Sequence, residues 1–128
     1  MPYTHDRLLA DTSIKEADRR VREALTAEGF GVLTEIDVKA TMKKKIDADM
    51  DGYVILGACN PKMAWEAIDL EPRIGAMLPC NVILRSVDGG TEVSAIDPVA
   101  SMSAVENPDL HNVAGQVRDM LMRAVDAA

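Results

Sequence analysis

Aromatic side chains are scarce in this chain: one Trp, one Phe and two Tyr make up 3% of its 128 residues. A base-stacking nucleic-acid binder needs aromatic platforms, and a core with so few must be built from aliphatic residues. Cysteine is equally sparse, with Cys59 and Cys80 the only two. Two thiols do not make a disulfide scaffold, so the expected address is a reducing cytoplasm. Long apolar runs are missing as well. No stretch approaches the roughly 18 residues that mark a membrane helix. The opening Met1-Pro2-Tyr3-Thr4-His5-Asp6-Arg7 lacks the apolar centre of a signal peptide. Histidine occurs only at His5 and His111, neither beside a Ser or Cys in sequence. There is no Gly-x-Ser-x-Gly, no phosphate-cradling glycine loop and no dinucleotide fingerprint, so the chemistries that use them have no visible residues.

Charge of one sign is in excess, 21 Asp and Glu against 14 Lys and Arg for a formal net charge of −7. Such a field repels phosphate backbones and anionic membranes, which excludes nucleic acid and membrane as expected partners. The one basic run, Lys43-Lys44-Lys45 with Lys39 a turn earlier, has no aromatic neighbour and reads as a solvated helix face.

The length fits a single domain, 1–128, large enough for a core without a disulfide or a structural metal. Val, Ile, Leu, Ala and eight Met must supply that core. Tyr3 to Leu9 reads as a strand. Ser13-Ile14-Lys15-Glu16 is a capping box opening a helix whose stripe is Ile14, Ala17, Val21, Ala24 and Leu25, stopped by Gly29. Gly31 to Ile36 reads as a strand running into Asp37, an N-cap for a short helix over 38–46 with Val38, Met42 and Ile46 on one side. The apolar run Tyr53 to Ala58 reads as a buried strand. Asn60-Pro61 then opens a helix that turns Ala64, Ala67 and Ile68 inward. Asn81 to Val87 and Thr91 to Ile96 form a hairpin around Asp88-Gly89-Gly90. After Asp97-Pro98 the chain reads as loose until Asn107-Pro108-Asp109 starts a last helix. Its stripe is Leu110, Val113, Ala114, Val117, Leu121, Ala124 and Val125.

The expected order is therefore β-α-β-α-β-α-β-β-α. It suits an α+β fold with a mostly antiparallel sheet and helices packed on one face. The other face needs either polar residues or a partner, and a homodimer is the commonest solution.

Two motifs invite chemistry. Asp47-Ala48-Asp49-Met50-Asp51-Gly52 matches the first half of a calcium loop, but its twelfth position is Ala58, where a bidentate Glu belongs. It reads as an acidic turn. The other is a pair of Cys-Asn steps, Cys59-Asn60 and Cys80-Asn81, each at an element boundary. A thiol beside helix N–H groups is a setting in which thiolates form, and two thiols brought together can share a soft metal or act as a redox couple. Against this, free Cys commonly packs as a small apolar group, and a lone pair twenty residues apart is half of a four-cysteine site.

Four separated blocks resemble the domain-of-unknown-function 302 family. They are Gly29 to Lys39, Ile55 to Pro61, Leu78 to Val82, and Ser94-Ala95-Ile96-Asp97-Pro98. The resemblance implies a bacterial or archaeal domain with a TATA-binding-protein-like topology: a curved antiparallel sheet with helices against it, as a homodimer. It brings no activity, cofactor or substrate. Cys59, Asn60, Cys80, Asn81, Glu35 and Asp97 all fall inside the resembling blocks and form the candidate site. The leading expectation is a homodimeric module binding a small ligand or a soft metal there. A thiol oxidoreductase or sulfur carrier using Cys59 is the alternative, and an interaction domain with inert cysteines the third reading.

Overall fold

In a computed structural model that describes residues 2–128, each expected element forms, and the physical reason is often a single cap. Ser13 accepts from the Glu16 N–H and starts α1 (Ile14–Ala27), which follows β1 (Thr4–Ala10). Gly29, at φ 85°, takes the left-handed position that lets the chain turn off α1 into β2 (Gly31–Asp37). Asp37 caps α2 (Val38–Ile46) through the Ala40 N–H. Next come β3 (Tyr53–Cys59) and α3 (Pro61–Leu70), the latter capped by Asn60 with Pro61 at its first position. A 3₁₀ turn, Pro72–Met77, leads into the hairpin of β4 (Cys80–Val87) and β5 (Gly90–Ile96). The stretch expected to be loose contains a short helix, α4 (Pro98–Ser101), because Asp97 accepts from the N–H groups of Val99 and Ala100. Asn107 caps α5 (Pro108–Ala127).

All five strands form one antiparallel sheet in the order β1-β5-β4-β3-β2. Strand alternation sorts its residues by face. Leu56 and Ala58 of β3, Val82 and Leu84 of β4, and Val93 and Ala95 of β5 point to one side and are buried there. Ala17, Val21 and Leu25 of α1, Met63 and Ala67 of α3, and all seven stripe residues of α5 meet them. Ile68 is instead 44% exposed, and Met63 takes the inward place expected of it. Among the described methionines only Met63 and Met102 are buried, so the core is aliphatic rather than Met-rich. Arg7 lies under the end of α5, its Nη1 donating to the carbonyls of Val125, Asp126 and Ala128 at 2.8–3.0 Å. No helix among the described residues is long and apolar enough to cross a membrane.

The opposite side of the sheet carries Tyr53 and Ile55 of β3, Asn81, Ile83 and Arg85 of β4, and Glu92, Ser94 and Ile96 of β5. The flanking strands add Asp6 and Leu8 of β1 and Ile36 of β2. A bulge between Val32 and Thr34 turns Leu33 outward, 67% exposed. Helix α2 packs on β2 and β3 and buries none of its residues. Its stripe of Val38, Met42 and Ile46 does not reach a core, and Ile46 is 69% exposed.

Candidate functional site

Strands β3 and β4 pair, and their register decides what the Cys-Asn steps do. Cys80 stands opposite Ala58 and shares its face, buried under the helices. Asn81, the next residue of the same strand, must point the other way, and it lies exposed on the uncovered face opposite Gly57. Cys59 ends β3, is half-buried, and hands the chain to the α3 cap. The four residues are therefore split. Cys59, Asn60 and Cys80 meet on the helix side, and Asn81 belongs to a different surface.

Those three residues stand in the wall of an apolar crevice between the end of β3, the start of β4, α3 and α5. Phe30, Met63, Leu78, Pro79, Met102 and Val113 supply much of the rest. The free space in it is about 30 Å³, room for a water-sized guest. Gly57 lets β3 pass close to this corner: a side chain there would collide with Thr34 and come within 2.7 Å of Pro79 Cγ. Asn60 has little capacity left for a ligand. Its Oδ1 accepts from the Met63 N–H at 3.3 Å, while its Nδ2 donates to the Glu28 carbonyl at 3.4 Å and to Met120 Sδ at 3.8 Å.

The thiols differ in setting. Burial, with a nearby Cys59 adding to it, pushes the Cys80 thiol up to about 11, so at neutral pH it is a protonated, apolar wall group. Cys59 is the more exposed of the two, half-buried where Cys80 is buried. Among the described residues no group of three or more His, Cys, Asp and Glu side chains comes together as metal ligands.

The other candidates serve elsewhere. Glu35 is on the helix face of β2 and binds Arg22 Nη2 at 2.9 Å, a guanidinium that Asp18 also holds at 2.6 Å. Asp97 is occupied as the α4 cap. The acidic turn at 47–52 is tied by Lys43, whose Nζ lies 2.7 Å from Asp47 and 3.3 Å from Asp49. Ala58, where a calcium loop would close, is buried in β3.

Residues 7–128 match the family described as Domain of unknown function DUF302. The chain belongs to that family. A crystal structure of an uncharacterized conserved DUF302 protein from Bacillus stearothermophilus is similar to it throughout. The TM-score is 0.92 at 26% identity, covering 99% of this chain and 98% of that one. No curated protein matches the chain.

Two features of this DUF302 chain escaped sequence reasoning. Met102 reaches the crevice from just past α4, a segment with no periodic signal. A second groove of about 440 Å³ runs between β1, β5 and α5, with His5 and Arg118 in its wall. His5 Nε2 there lies 2.8 Å from Asp126 Oδ1, across 121 residues of sequence. Separations of that kind leave no local trace.

Proposed function

We propose that the chain is a cytoplasmic, homodimeric binding module that takes a small apolar ligand in the crevice walled by Cys59, Cys80, Met63 and Met102. One observation carries this reading: the crevice walls are almost wholly apolar and two thiols stand among them. Apolar pockets with few polar groups are the usual form of a small-molecule site. The resting space is small, and two flexible Met side chains are the groups best able to make room. Soft-metal binding has less support, since Cys59 and Cys80 supply half of a four-thiolate site. Both free cysteines and the acidity of the chain suit a cytoplasmic protein without nucleic-acid partners.

A reading of Cys59 as the nucleophile of a thiol oxidoreductase or sulfur carrier rests on its being the more exposed of the two. Native-state alkylation at neutral pH with mass analysis separates the readings. Rapid modification of Cys59 alone favours the nucleophile. Slow modification of both, together with benzene-induced NMR shifts centred on the Met63 and Met102 methyls, supports the binding module. Saturating benzene that leaves those methyls unmoved removes the support for an apolar-ligand site.

A further inference from the structure

We infer that the uncovered face of the sheet is the surface on which two copies of this chain meet. This deepens the homodimeric reading above and rests on it. The face is centred on the half-buried Tyr53, Ile55 and Ile83, with Leu8 and Ile36 toward its edges and Ile96, which also packs against the core, at the end of β5. Leu8 and Ile36 are 50% and 47% exposed. An antiparallel sheet can leave one face to water, but such a face is normally polar. Here the apolar residues run across all five strands.

Charge on the face is sparse. In a chain with 21 acidic and 14 basic residues, the described residues on it include only Asp6, Arg85 and Glu92. Two of these already satisfy each other, with Arg85 Nε 2.8 Å from Glu92 Oε1. Depletion of charge at the centre of a patch is what separates an interface from ordinary surface. Two copies meeting here would bring little like charge together, although each chain carries −7.

Size points the same way. Five strands about 4.8 Å apart and about seven residues long, at roughly 3.4 Å each, give a face of roughly 600 Å². That is the lower end of what each partner contributes to a specific interface. A two-fold arrangement uses the same patch twice, so one self-complementary face is sufficient. Sheets packed in this way lie about 10 Å apart with their strands roughly 30° from parallel.

Sedimentation velocity of the full chain between about 1 and about 100 µM tests this, the range expected of an interface of this size. Ile83→Glu and Ile55→Lys place charge at the centre of the face, and Trp65→Glu, on the 75% exposed outer side of α3, is the control. The expected result is a wild-type dimer, weakened at least about tenfold by either sheet variant and unchanged by the control. Far-UV circular dichroism checks that each variant folds. If one does not, the other and a deuterium-exchange footprint of β3 to β5 in the wild type decide. A chain that stays monomeric throughout overturns both the homodimeric reading and this surface. A dimer that survives both sheet variants, or that only Trp65→Glu disrupts, overturns the surface alone.

Discussion

At the residue scale, Cys80 shows how environment sets what a side chain can do. It is buried in the wall of a crevice shared with Leu78, Pro79 and residues of α5, and burial disfavours the thiolate. The folded value of about 11 stands above the ordinary 9.0. Below pH 9 both folded and unfolded chains hold the proton, so the stabilising contribution is intact. Between about 9 and about 11 the unfolded chain gives up its proton while the folded one keeps it. Stability is therefore lost as pH rises through that window, by about 2 to 3 kcal/mol. Urea unfolding at pH 8, 9.5 and 11 measures it, and a Cys80→Ala variant should lose distinctly less stability over the same range. An identical slope in the variant would assign the alkaline loss to other groups. Alternation in a strand also explains why the second Cys-Asn step cannot act as a unit. Cys80 and Asn81 are neighbours in β4, so one is buried and the other faces outward. Cys59 and Asn60 escape that rule because the strand ends between them and a helix begins.

Elements were legible where a cap and a period agree. Asn107-Pro108 sets the start of α5, and its seven apolar positions at helical spacing are all buried. The same logic found α2, but amphipathicity says only that a helix has an apolar side, not what covers it. Its stripe begins at Val38, just past the edge strand β2, and none of it joins the core cluster. In α3 the capping pair was right and the inward side partly so: Ala67 is buried and Ala64 half-buried, while Ile68 faces outward and Met63, one turn before Ala67, turns in. Contacts distant in sequence were invisible. Arg7, in β1, satisfies the last carbonyls of α5 and sets a cation against the negative end of that helix, and Arg20 Nη2 adds a 2.9 Å bond to the Ala128 carbonyl. Replacing Arg7 by Ala should cost about 1 to 3 kcal/mol, and hydrogen exchange should quicken in the last turns of α5 before anywhere else. A variant that melts at the wild-type temperature would mean that water and Arg20 satisfy those carbonyls as well.

For the whole molecule, the contrast between the two faces of one sheet is the fact that function must answer. Every strand contributes to both, yet one side is closed by α1, α3, α4 and α5 while the other carries the exposed Ile36 and the half-buried Ile55 and Ile83. The asymmetry has a thermodynamic consequence if copies meet there. A native dimer that unfolds to two separate chains is stabilised by mass action, so its midpoint must rise with concentration. For about a fortyfold increase, from about 5 to about 200 µM, the gain is roughly 2 kcal/mol per dimer. Spread over the unfolding entropy of two chains of this length, it amounts to about 2 to 4 °C. Calorimetry at the two concentrations reads the shift directly, and Ile83→Glu should abolish it. Exchange in β3, β4 and β5 should slow at the higher concentration, while exchange in α5, already covered within one chain, should change only with global stability. A midpoint independent of concentration, with scans that reverse, would leave the isoleucines of the open face exposed in solution and the sheet without a second copy.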